Sequence, residues 1–206
     1  MTADLSDAEQ SAAEAVLAGL RPFPVAITTV SQGRANGLIS LSAGSASVLR
    51  EAPRVQISLA KRNFTHDLVK DSGVFVMHLL ADGDPGSEVL AKSLAIIMGL
   101  GGSSGRDGDK IAQFGTKPGV TDSPVLLDAL SYVEARVIAQ LDLEESTLFI
   151  GDIVAAERLQ RAPRLNIGNA WKALPVEWTQ NYDRNLIHEY NAARQRRGLP
   201  EQPEPE

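Results

Sequence analysis

A chain of 206 residues with 43% hydrophobic and 22% charged side chains is long enough to enclose a proper core and has the composition of a globular protein. Its 20 basic and 26 acidic side chains leave a formal net charge of −6 with no basic run, which argues against nucleic acid or an anionic membrane as the main partner. Cysteine is absent, which removes disulfides, thiolate metal sites and a cysteine nucleophile together and fits a reducing compartment.

The amino terminus, "MTADLSDAEQ", is polar and acidic and does not read as a signal peptide. No apolar run reaches the length of a membrane span. The expectation is a cytoplasmic protein with one domain over residues 1–206. Its first segment, 1–20, reads as a helix: Ser6 and Glu9 have capping-box spacing, the alanine-rich run ends at Gly19, and Pro22 and Pro24 stop it.

"VAITTV" is rich in β-branched residues. A turn at Gln32-Gly33 joins it to a second strand around "ANGLISL", so the pair predicts a hairpin. "RVQISLA" is the next strand, with Val55, Ile57 and Leu59 alternating against Arg54, Gln56 and Ser58. "THDLVKDSG" predicts a short helix with Thr65 as its N-cap and Gly73 as its terminator. "VFVMHLL" is again a strand, and "SEVLAKSLAIIMGL" is helical.

"GGSSGRDGD" follows as a mobile loop. Together with its flanks, "GLGGSSGRDGDK" lacks the spacing of a phosphate loop and no strand feeds it. "SYVEARVIAQLDL" and "STLFIGDIVAAERL" predict a long closing hairpin. From Ala162 to Glu206 runs a carboxy-terminal extension that carries both tryptophans and ends in "EQPEPE", which reads as a disordered tail. Strands joined by short turns outnumber helices. The fold class expected is therefore mainly β with attached helices, an antiparallel barrel or sandwich.

His66, His78 and His188 are too widely spaced for a metal site, and no Ser-His-Asp set or carboxylate pair can be assembled from spacing. No metal is expected, and no catalytic side chain can be named. His66 reads as a surface helix residue, and His78 as a satisfied half-buried one. His188, Trp171 and Trp178 most simply pack the carboxy-terminal segment. Asn36-Gly37 has the look of a turn or bulge.

"KRNFTHD" places Lys61, Arg62, Asn63 and Thr65 at a helix amino terminus, whose open N–H groups and partial positive charge suit phosphate. On that heptapeptide alone, a plain helix cap with solvated cations is the better reading. The serines of "LISLSAGSAS" can likewise be ordinary loop formers.

The order of these blocks resembles the flavin reductase-like, FMN-binding split-barrel family. The resemblance runs from the first hairpin through Asn36-Gly37, the Ser/Thr-rich segment, "KRNFTHD" and "VFVMHLL" to "GDKIAQFG", "SPVLLDALSYVEARV" and "STLFIGDIV", or about Leu20 to Arg158. It implies a homodimeric, antiparallel Greek-key split β-barrel holding FMN. It further implies an oxidoreductase that passes electrons from NADH, NADPH or another hydride donor through FMN to a small-molecule acceptor.

Position by position, the resemblance assigns Thr28, Thr29, Ile39, Ser40 and Ser42 to the flavin ring and ribityl chain. Lys61, Arg62, Asn63 and Thr65 fall to the phosphate, which now outranks the cap-only reading there. Two positions depart from the family pattern. His78 stands where F-x-V-N has asparagine, and the later G-D-H block reads Glu144-Glu145-Ser146. Ser146 favours an alternative in which FMN acts on an organic substrate without direct NAD(P)H use. A non-catalytic flavin, haem or deazaflavin carrier is the alternative from another class.

Overall fold

The fold is seen in a computed structural model, described over residues 5–203. Residues 1–4 of the expected first helical segment and 204–206 of the expected tail lie outside the described residues. Helix α1 (Asp7–Gly19) begins at Ser6, whose hydroxyl accepts from the Glu9 N–H while the Glu9 carboxylate accepts from the Ser6 N–H, so the capping box forms. None of its residues is buried.

Strands β1 (Val25–Ser31) and β2 (Arg34–Ser40) pair antiparallel from Val25↔Ser40 to Ser31↔Arg34. Gln32 and Gly33 both take positive φ, 50° and 76°, as a two-residue turn that matches strand twist requires. Strands β3 (Ala43–Ser45) and β4 (Arg54–Ala60) lead into helix α2 (Phe64–Ser72), which Gly73 ends in the left-handed conformation at φ 67°. Strand β5 (Val74–Leu79), helix α3 (Glu88–Gly101) and the short strands β6 (Thr116–Pro118) and β7 (Pro124–Leu126) follow. The long strands β8 (Ser131–Asp142) and β9 (Ser146–Arg158) form the predicted hairpin.

One antiparallel sheet of seven strands, ordered β2-β1-β5-β8-β9-β4-β3, curls until β2 and β4 meet. This is the half-barrel expected of a split barrel. Its inside is filled by alternating residues such as Ile27, Val55, Ile57, Leu59, Phe75 and Phe149, all buried together. A second cluster packs Ile96, Ile97 and Leu100 of α3 against Ala26, Leu80 and Leu165. Each fully buried Leu or Ile contributes about 1.5–3 kcal/mol, so the sheet is fixed by both faces.

His78 lies in β5 with its side chain wholly enclosed. Its Nδ1–H donates to the Ala26 carbonyl at 3.2 Å, and its Nε2 accepts from the Leu126 N–H at 3.0 Å, tying β1, β5 and β7 together. Thr28 donates to the Pro124 carbonyl and Thr29 to that of Val74. Glu134, on β8, accepts from the Val120 and Thr121 N–H groups and the Thr121 hydroxyl. These buried polar groups under the sheet have partners, as burial demands, whereas the wholly buried Ser123 Oγ beside β7 has none among the described residues.

Four expectations need correcting. Asn36-Gly37 is no turn or bulge but pairs in unbroken register with Thr29 and Thr28, and His78 is fully rather than half buried. Thr65 is not the N-cap of its helix: Asn63 holds that position with extended φ −74° and ψ 133°, and Thr65 sits inside the first turn. His66 is not a surface residue. Its Nε2 lies 2.9 Å from the Thr147 hydroxyl and its Nδ1 3.0 Å from Asp67, with the ring against Phe149. The extension after Ala162 also holds two helices, α4 (Ile167–Ala173) and α5 (Val176–Arg196), for which the sequence reading assigned no structure. Trp171 of α4 meets Trp178 and Tyr182 of α5 edge-on, and Trp178 stacks on Tyr182 at 5.2 Å.

Candidate functional site

A cleft of about 420 Å³ opens where the start of α2 faces β2. Asn36 and Leu38 of β2 line it, with Arg62 to Thr65 on one side. The loop after α3 and Asn185 and Glu189 of α5 complete the wall. Three cations, Arg62, Arg106 and Lys110, face the cleft against one carboxylate, Glu189.

Asn36 is the residue that gives this cleft chemical direction. It is 2% exposed, and its Nδ2–H donates to the Thr65 hydroxyl oxygen at 2.9 Å. Its Oδ1 has no hydrogen-bond partner among the described residues. Turning the amide over would satisfy Oδ1 through the Thr65 O–H and leave the amide N–H unpaired instead, so one polar atom is orphaned either way. An unpaired buried amide atom costs about 1–3 kcal/mol, which a bound ligand can recover. Gly105 closes over this atom: a Cβ there would stand 2.1 Å from Asn36 Oδ1.

The amino end of α2 is open in the same way. Asn63 occupies the N-cap position, yet its side chain makes no capping bond. The His66 N–H donates to the Asn63 carbonyl at 3.0 Å, which leaves the Phe64 and Thr65 N–H groups available beside Arg62, in the geometry that suits an anion.

The loop from Gly102 to Gly115 is tied down at two places. Lys110 donates to the Leu100 and Ser103 carbonyls at 2.6 and 2.9 Å, and burial pushes its ammonium down to about 8. Arg106 pairs with Asp67 at 2.6 Å and lies over the Phe64 ring. Burial works against ionisation of Asp67, but the bonds from His66 and Arg106 outweigh it and hold the carboxyl below its ordinary value.

A second, shallower cleft of about 260 Å³ is lined by Arg21, Ser42, Gln56, Ser58 and Leu148 among others. Ser146, the first residue of β9, lies beside it, with its hydroxyl 3.4 Å from that of Ser58. Two residues earlier, Glu144 has φ 68°, a left-handed conformation that favours glycine.

Of the residues singled out from sequence, Arg62, Asn63 and Thr65 come together in the first cleft and Ser42 lines the second. The other five line neither. The hydroxyls of Thr28 and Thr29 are engaged by backbone carbonyls beneath the sheet, Ile39 packs on the α3 cluster, and the Ser40 hydroxyl accepts from the Ser42 N–H. Lys61 reaches back to Asp142, with Nζ–O distances of 2.6 and 2.7 Å. Sequence reasoning missed Asn36, Lys110 and the α5 residues. Asn36 carried a signal, an asparagine at a strand centre facing a polar segment, but the N-G pair masked it.

Residues 19–174 match the flavin reductase like domain family. The ferric-chelate reductase (NAD(P)H) of Archaeoglobus fulgidus is 30% identical over 138 residues, spanning 66% of this chain and 75% of that protein. The high molecular weight rubredoxin of Moorella thermoacetica is 30% identical over 139 residues, 66% of this chain but only 56% of the relative, so this chain spans about half of that longer protein. Among solved structures, a nitrilotriacetate monooxygenase component B homologue from Mycobacterium thermoresistibile superposes with a TM-score of 0.62 at 20% identity, covering 84% of this chain and 94% of that one. The FMN-binding protein of Thermus thermophilus gives 0.58 at 22% identity, covering 67% and 71%. With its curled antiparallel half-barrel, the chain belongs to the flavin reductase like domain family.

Proposed function

We propose that the protein binds FMN and passes electrons through it, taking them from NADH or NADPH and giving them to a small-molecule acceptor. The observation that carries this reading is the orphaned amide of Asn36 beside the uncapped start of α2. Arg62, Asn63, Thr65 and the open N–H groups of α2 would hold the phosphate by charge-assisted bonds. The unpaired atom of Asn36 lies under Gly105, so it would reach the ligand once the Gly105 backbone shifts aside. Ser42 and Ser58, in the second cleft, would face the ring end. Ser58 stands near the end of β4 and Arg62 in the turn that follows Ala60, so an elongated ring–ribityl–phosphate ligand would run along this strand end.

In this reading Thr28, Thr29, Ile39 and Ser40 serve the flavin by fixing β1 and β2 and through backbone groups, while Lys61 adds charge from farther off. Bound flavin supplies the two-electron chemistry, and the chain supplies position and electrostatics. No side chain is required as acid or base.

A homodimer fits the surface. Ile138 and Leu141 of β8, Leu143 in the turn and Val154 of β9 stand exposed along the β8–β9 hairpin, where a second copy would cover them. Light scattering should then give about twice the chain mass of 22.0 kDa. The cysteine-free composition supports a cytoplasmic setting.

Ser146 favours a second reading, in which FMN serves an organic substrate and nicotinamide is not the direct donor. Absorbance and mass of the protein as purified test the cofactor. Anaerobic addition of NADH or NADPH then separates the readings: brisk bleaching supports the first. Flavin that bleaches only with dithionite, with Ser146→His gaining nicotinamide turnover at unchanged FMN affinity, supports the second. A haem spectrum would overturn both.

A further inference from the structure

Helix α5 begins at Val176, after the last residue that matches the family, and it places a carboxylate at the start of α2. Asn185 and Glu189 are one turn apart on one helix face and both line the main cleft. Glu189 Oε1 accepts from the Asn63 amide at 3.4 Å. Asparagine is among the best N-capping residues, and Asn63 has extended N-cap backbone angles, yet its side chain does not cap its own helix. Its amide is turned to Glu189 instead. The nine-residue helix α2 is therefore left with the Phe64 and Thr65 N–H groups open at a cleft that already contains an anionic oxygen.

An independent feature marks the same place as a ligand site. The deeply buried Asn36, hydrogen-bonded to Thr65 in the first turn of α2, keeps one amide atom unpaired beside the cleft.

We infer that Glu189 is a specificity-determining residue: an internal anion that stands in for the ligand's phosphate at the start of α2 and must be displaced when a phosphorylated flavin binds. The inference rests on the FMN reading above and adds to it a charge test on the ligand. A phosphate monoester carries about −1.5 to −2 charges with three acceptor oxygens, so it outcompetes a single carboxylate for Asn63 and the helix end. Riboflavin, which has no phosphate, has nothing to offer there and leaves the Glu189 contact intact. Glu189 thus weakens binding of phosphorylated ligand by the free energy of its own contact and repulsion, and leaves the unphosphorylated one unaffected.

Calorimetric titration of the full-length wild type and Glu189→Gln with FMN and with riboflavin tests this. Glu189→Gln keeps size and hydrogen-bonding capacity on a solvent-facing helix, and circular dichroism checks that the fold is retained. The expected result is FMN binding about tenfold tighter in Glu189→Gln, with riboflavin binding changed less than about twofold. Unchanged or weaker FMN binding in the variant, or equal shifts for both ligands, would overturn the inference while leaving the FMN reading in place. If wild type and variant bind neither ligand, the FMN reading fails and this inference with it.

Discussion

Two sets of buried polar groups stand in contrast in this protein. Beneath the sheet, His78, Thr28, Thr29 and Glu134 each have a backbone or side-chain partner within the chain. At the cleft between β2 and α2, Asn36 keeps an unpaired atom, and Asn63 turns away from the helix it should cap. The first set pins strands to one another and needs nothing more. The second is incomplete as the chain folds alone. An orphaned group points to binding only beside a cleft, where a ligand can complete it: Ser123 Oγ is also buried and unpaired among the described residues, but it lines neither cleft.

The contrast can be broken at its satisfied end first. His78→Leu removes the acceptor of the Leu126 N–H and the donor to the Ala26 carbonyl in a fully buried place, so about 3–5 kcal/mol of folding stability should be lost. Urea unfolding at neutral pH measures it. A loss below about 1 kcal/mol would mean that this histidine is not a strand pin.

The same residue predicts an acid limit. Burial pushes His78 down to about 4 from an ordinary 6.5, against the opposing bond to Ala26. The unfolded chain binds the proton first, so the stability is fully present above pH 6.5 and is lost as pH falls toward 4. Roughly 3 kcal/mol should disappear across that window. Unfolding curves between pH 7 and 4 should show the fall in wild type, and a smaller one in His78→Leu.

At the unsatisfied end, Thr65→Ala removes a hydroxyl from the start of α2. FMN binding should weaken by about 1.5–3 kcal/mol and riboflavin binding by much less. Equal losses would return Thr65 to a packing role beside Asn36. The smallest effect concerns the β8–β9 turn. Glu144→Gly relieves a left-handed non-glycine residue and should stabilise the fold by about 1 kcal/mol without altering flavin affinity, as denaturation midpoints can show.

The satisfied region was the legible one. Alternation in "RVQISLA", the Gln32-Gly33 turn and the Gly73 terminator are local signals, and the structure follows them to within a residue or two. Arg62, Asn63 and Thr65 were found because a helix start is also visible locally. Asn36 was not: its importance comes from Thr65 and Gly105, residues distant in sequence that the fold brings against it. Thr28 and Thr29 show the opposite error, since β-branched hydroxyls on a strand look alike whether they meet a ligand or a neighbouring carbonyl. The α5 wall lay beyond any local rule, because its polar sequence buries none of its residues and its place depends on the Trp171–Trp178–Tyr182 cluster.

The central claim is that the start of α2 receives the phosphate of a flavin. Backbone amide shifts in NMR titrations with FMN and with riboflavin test it most directly. The amides of Asn63 to His66 should move strongly with FMN and scarcely with riboflavin, while those near Ser42 and Ser58 move with both. Shifts at Asn63 to His66 that are the same for the two ligands, or absent with FMN at saturation, would contradict the account.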